Sequence, residues 1–231
     1  MFYFDPMYFF FAAPALLLML YAQWQVHRTY GKYAQVANMQ HLSGARTARW
    51  LLDSAGLQDV PIEETPGNLT DHYDPSKRVL RLSSGVYNTP SVAAMGIAAH
   101  EVGHAVQHNT GYAPMALRST LVPAANIGST LGYVFFILGV VVQFSGLVWV
   151  GILLFSGAVL FSLLTLPVEL DASGRAKRML RSLGLTGQTE DQGVERVLSA
   201  AALTYVAALL QAVGTLLYYV WIATGMQRSE D

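Results

Sequence analysis

The chain has 231 residues, with 14 Lys plus Arg against 15 Asp plus Glu and a formal net charge of −1, so no basic surface points to nucleic acid. It has no cysteine, which excludes a disulfide framework and any thiolate metal site. Its charges are crowded into a few segments and are missing from long apolar runs, which points to a bilayer.

The first run, Pro6 to His27, contains FFFAAPALLLMLYAQW and is long enough to span a membrane of about 20 residues' thickness. It lacks the basic leader and small-residue cleavage site of a signal peptide, so it reads as a retained anchor, bent at Pro14. Ser43 to Gly56 places Trp50, Leu51 and Leu52 after Arg46 and Arg49 and predicts a short helix that Gly56 stops. Three segments with strand character follow: DVPIEET, NLTDHYD and KRVLRLSS. Asp74-Pro75-Ser76-Lys77 between the last two is a turn signal and predicts a hairpin. An edge of such a sheet could bind an extended peptide backbone, or the sheet could be a purely structural support for the next helix.

That helix carries His100-Glu101-Val102-Gly103-His104 within SVAAMGIAAHEVGHAVQH. Residues four apart share one helix face, so two histidines at this spacing can grip one Zn²⁺. Glu101 is then placed to hold the metal-bound water and take its proton rather than to bind the metal. The alternative is a surface helix with a solvated glutamate. The Ala, Met, Ile, Val and Gly around the motif argue for burial, and a buried Glu between two His needs partners. Gly103 is expected to permit close packing. His108 lies about 12 Å along the helix from His100, too far to share an ion with it. Gln107 and Thr110 stand where a longer H-E-x-x-H-x-x-G-x-x-H pattern needs Gly and His. His108 is therefore read as a helix-end or cleft residue.

From Ser119 to Val168 there is no Asp, Glu, Lys or Arg, enough chain for two spans joined near Gln143-Phe144-Ser145-Gly146. Core helices of a soluble protein would show a polar stripe, and LGYVFFILGVVVQF and LVWVGILLFSGAVLFSLLTL show none. Val197 to Gln227 is a further uncharged run and a fourth span.

A catalytic zinc with two histidines needs a third protein ligand on the same side of the membrane. Two spans after the motif the chain returns with Glu169, in TLPVELDASGRAKRML, just beyond Pro167, where a helix could start or a span kink. A first-turn glutamate favoured by the helix dipole is the plain alternative. Glu169 is preferred as the ligand. Asp171 is the rival, with Arg175 available as an ordinary i+4 partner, and is otherwise a candidate to orient a ligand histidine. No oxyanion stabiliser can be chosen among His72, Tyr73, Tyr87, His108 and Tyr112.

H-E-V-G-H followed, across a transmembrane hairpin, by P-V-E-L-D-A-S-G-R-A resembles the YugP-like neutral zinc metallopeptidases of bacterial membranes. More distantly it is similar to the HtpX-like and CAAX-prenyl-protease group. In that group an Asp follows the ligand Glu by four residues, where this chain has Ser173. The resemblance covers most of the chain. It implies zinc on His100, His104 and Glu169, Glu101 as general base, and a bacterial cell membrane.

The expected fold is a mainly α membrane protein with about four transmembrane helices and a small α+β part bearing a short antiparallel sheet. The expected division is an anchor (1–27), an α+β part with the motif (28–118), a transmembrane hairpin (119–168), a helix with the third ligand (169–196) and a last span (197–227). Every Lys and Arg except Arg228 falls in 28–118 or 169–196, so the positive-inside rule puts both segments in the cytoplasm and both termini outside. The expected function is zinc-dependent endopeptidase action on membrane or membrane-proximal proteins. The alternative is a membrane scaffold that zinc only staples. The expected partners are a protein or peptide substrate and the bilayer, with no nucleic acid. An oligomer is neither indicated nor excluded.

Overall fold

The computed structural model describes residues 6–230; residues 1–5 and 231, and with them the expected placing of the termini themselves, lie outside the described residues. The elements run α1 (Pro6–Tyr33), α2 (Gly44–Ser54), β1 (Ile62–Thr65), β2 (His72–Asp74), β3 (Val79–Ser83), α3 (Ser84–Tyr87), α4 (Val92–Asn109), α5 (Ala113–Val141), α6 (Ser145–Ser182) and α7 (Gln188–Glu230). The long helices α1, α5, α6 and α7 are each long and apolar enough to cross a membrane. The fold is therefore mainly α, with four candidate spans, as expected. The chain divides into two compact units.

The first unit holds residues up to Tyr21, 116–167 and those from Thr204 on. Its helices α5 and α6 form a hairpin closed by Gln143, whose φ is +53°. Glycines let the two backbones touch. A Cβ on Gly132 would stand 2.7 Å from Phe155 N, and one on Gly151 2.5 Å from Phe136 N. Close approach through small residues is how helices pack where no water drives them together. Phe136 stacks on Tyr219 of α7 at 3.7 Å beside buried Val148 and Ile152. Outward side chains such as Val141, Leu153 and Leu160 stay exposed, as lipid-facing residues must.

The second unit holds 22–115 and 168–203. Helix α2 starts where Ser43 Oγ accepts from Arg46 N, and buries Thr47, Ala48, Leu51 and Leu52 on one side. It ends as its sequence predicts: Gly56 takes φ +74°, Leu57 N donates to Leu52 O and Gly56 N to Asp53 O. These are the two bonds of a glycine-terminated helix stop. The predicted hairpin is β2–β3, with Tyr73 opposite Leu80 and Asp74 opposite Val79. Asp74 Oδ1 accepts from Ser76 N, Lys77 N and Ser76 Oγ and so builds the turn.

The sheet is not purely antiparallel. Its order is β1-β3-β2, and β1 runs parallel to β3. The most apolar strand, with Val79, Leu80 and Leu82 buried, takes the centre. The hairpin occupies one of its edges, and residues 66–71 carry the chain across from the other, which leaves β1 parallel. Beneath the sheet, α4 is buried along most of its length. Val168, Ala176 and Leu180 of α6 join the same core, and Ala172 on the same stripe is buried as well. Helix α6 is continuous, so Pro167 lies inside it rather than opening a new helix.

Candidate active site

Ser91 caps α4 by accepting from Ala94 N and sets the phase of the helix that follows. One face of α4 then presents His100, Gly103, His104 and Gln107 to α6. A Cβ on Gly103 would lie 2.5 Å from Ala172 O, so only glycine allows α6 this close. Glu169, one turn before Ser173 on α6, meets both histidines. Its Oε2 lies 3.2 Å from His100 Nε2 and 3.4 Å from His104 Nε2. One donor atom from each of the three residues lies within 4.8 Å of the others.

These residues fit a zinc ion. Two imidazoles and one carboxylate, with no thiolate, are the donor set of a catalytic site that keeps a position open. Glu169 is 2% exposed, and a carboxylate so buried needs a positive partner. Glu101 and His104 are buried too. Burial alone would lower the pKa of His104. Its hydrogen bond to Glu169 and the charges of Glu101 and Glu169 outweigh that and hold it above the ordinary value. The pocket of side chains thus has a net call for positive charge.

The other nitrogen of each histidine is also engaged. His100 Nδ1 is 3.1 Å from Ser173 Oγ, and His104 Nδ1 is 3.0 Å from Gln107 Oε1. Gln107 Nε2 donates to Val168 O at 2.8 Å and to Asp171 Oδ2 at 2.9 Å. Arg175 Nε donates to the same Asp171 oxygen at 2.6 Å. Asp171 is not among the three converging ligand groups and reaches His104 only through Gln107. Mid-helix, Glu169 is not a first-turn residue, and the helix dipole does not explain it.

Glu101 points along a different face of α4. Its Oε2 accepts from Tyr73 N of β2 at 3.0 Å. Ala105 and His108 continue that face, one and two turns on. His108 Nδ1 lies 2.9 Å from the Tyr73 hydroxyl, away from the three ligand groups. Both line a cavity of about 250 Å³ with Leu57, Arg78, Ala105 and Asn109. Of the other oxyanion candidates, His72 turns its Nδ1 to Thr70 O, and Tyr112 lies under Arg175.

Two contributors escape a reading by motif. Gln107, three residues after His104, is legible in the sequence only as a departure from a longer motif. The Tyr73 amide carries no side-chain signal at all.

Comparison with known proteins points to zinc peptidases. Residues 8–224 match the family model described as "Putative neutral zinc metallopeptidase". The chain is 46% identical over 216 residues to a Bacillus subtilis (strain 168) protein named "Putative membrane protease YugP", covering 94% of this chain and 96% of that one. No solved structure matches the chain.

Proposed function

The chain belongs to the neutral zinc metallopeptidase family, and we propose that it is an integral-membrane endopeptidase that cleaves membrane or membrane-proximal proteins. The convergence of His100, His104 and Glu169 within 4.8 Å, with Glu101 next to His100 in the chain, carries this reading. His100 and His104 through Nε2, and Glu169 through its carboxylate, would hold zinc. Zinc held there supplies a Lewis acid that polarises the scissile carbonyl and brings the pKa of water to about 7. Glu101 accepts the proton of the attacking water and delivers it to the leaving amine. The Tyr73 N–H holds one Glu101 oxygen in place and leaves the other for that proton. A carboxylate restrained at one oxygen loses little further freedom on reaction, which favours an oriented transfer.

A zinc that only stapled the fold would need a fourth protein ligand. Asp171 is committed to Gln107 and Arg175, and His108 to Tyr73, which supports a catalytic over a structural role. The concentration of Lys and Arg in 28–118 and 169–196 supports a cytoplasmic site. The test is cleavage of a casein-like or membrane substrate by purified protein. Turnover should stop with a zinc chelator and return with zinc. Cleavage that survives complete removal of zinc would contradict the proposal.

A further inference from the structure

The least exposed polar side chain of α4 is not a metal ligand. Gln107 is 0% exposed and makes three contacts: His104 Nδ1, Val168 O and Asp171 Oδ2. An amide offers two N–H donors at one end and a carbonyl acceptor at the other. Val168 O and the Asp171 carboxylate are both acceptors, so the NH₂ end must face them. Turned the other way, the amide oxygen would meet a carbonyl and a carboxylate, and both acceptors would lose the Gln107 donor. Arg175 holds Asp171 in place from the other side. The carbonyl of Gln107 therefore has to face His104.

We propose that Gln107 is a positioning residue that fixes the tautomer of His104. With Oε1 as an acceptor, His104 Nδ1 must carry the proton and donate to it. The Nε2 lone pair is then left free, and Nε2 is the nitrogen that faces Glu169. The donors of Gln107 end on Val168 and Asp171, which flank Glu169 on α6. One side chain thus joins the orientation of one ligand to the helix that carries another. His100 lacks such a device. Its Nδ1 partner is the Ser173 hydroxyl, which can donate or accept and so dictates no tautomer.

This inference rests on the zinc-peptidase reading and is tested apart from turnover. The zinc-loaded protein, labelled with ¹⁵N-histidine and assigned with single histidine variants, should show His104 as an exchange-protected Nδ1–H. In Gln107→Leu that resonance should be lost, and the zinc dissociation constant should rise about 10- to 100-fold, as for other groups that orient a ligand from outside. Gln107→Met, with a flexible chain of similar length, should do the same and serves where the leucine variant fails to fold. A wild-type spectrum showing His104 as Nε2–H would overturn the inference without any variant. So would a Gln107→Leu protein with the Nδ1–H resonance intact and an affinity within about twofold of wild type. A wild-type protein that takes up no zinc would refute the zinc reading itself, and this inference with it.

Discussion

Gly103 lies so close to Ala172 that a Cβ built on it would stand 2.5 Å from the Ala172 carbonyl oxygen. The atom in the way is backbone of α6, one turn from Glu169, and cannot rotate aside. Alanine at this position gains about 1 kcal/mol of helix propensity. Overpacking against a fixed neighbour costs about 1–3 kcal/mol, so the loss wins. Gly103→Ala should lower the melting temperature in detergent and weaken zinc binding, because α6 must move and take Glu169 with it. Thermal unfolding with and without zinc measures both effects.

Much of this is legible in the sequence. The spacing of His100, Glu101 and His104 announces its chemistry because helix geometry converts four residues into one face. The charge-free runs announce the spans, and Asp74-Pro75-Ser76-Lys77 announces the β2–β3 turn. What stayed hidden depends on partners distant in the chain. Pro167 reads locally as either a helix start or a kink in a span, and α6 passes through it as one helix. The parallel pairing of β1 follows from which strand is buried in the middle, not from β1 itself. Gln107 looked only like a mismatch to a longer motif. Its role appears when α6 brings Val168 and Asp171 to it.

The ligand assignment separates two neighbouring acids. Glu169 touches both histidines, whereas Asp171 touches Gln107 and Arg175. Glu169→Ala should therefore abolish turnover and lower retained zinc steeply after dialysis. Asp171→Ala should have a smaller effect on zinc, about 10-fold in affinity, as an indirect contact. Elemental analysis of the dialysed proteins compares them. Full zinc in Glu169→Ala with loss in Asp171→Ala would exchange their roles.

The side of the membrane can be read with cysteines, since the chain has none of its own. Cysteines at Asn68 and Thr186 should be shielded from an impermeant thiol reagent in intact cells. One at Ser145, in the short α5–α6 connection, should react. The expectation follows from the placement of Lys and Arg. Labelling at position 68 from outside would reverse the orientation.

Acid should loosen the hairpin through Asp74. The Ser76 hydroxyl, with the Lys77 and Ser76 amides and Arg81, lowers its carboxyl from 3.8 to about 2. A group whose pKa is depressed by folding stabilises the fold above its unfolded value and loses that contribution as pH falls through the folded one. The stabilising effect is thus complete at neutral pH and lost between about 3.8 and about 2. Asp74→Ala should lower thermal stability at pH 7, and the gap to wild type should narrow across that acid window. A gap independent of pH would assign the effect to packing alone.

The most direct measurement is made on Glu101→Gln. The substitution keeps the size of the side chain and removes its negative charge and with it the capacity to take a proton. Glu101 is not one of the three converging ligand groups, so zinc content by elemental analysis should match wild type. Turnover of a casein-like or membrane substrate by the same preparation should fall by at least about 100-fold, the lower range for loss of a general base. Full zinc with turnover near wild type would contradict the assignment of Glu101 as the base that activates water.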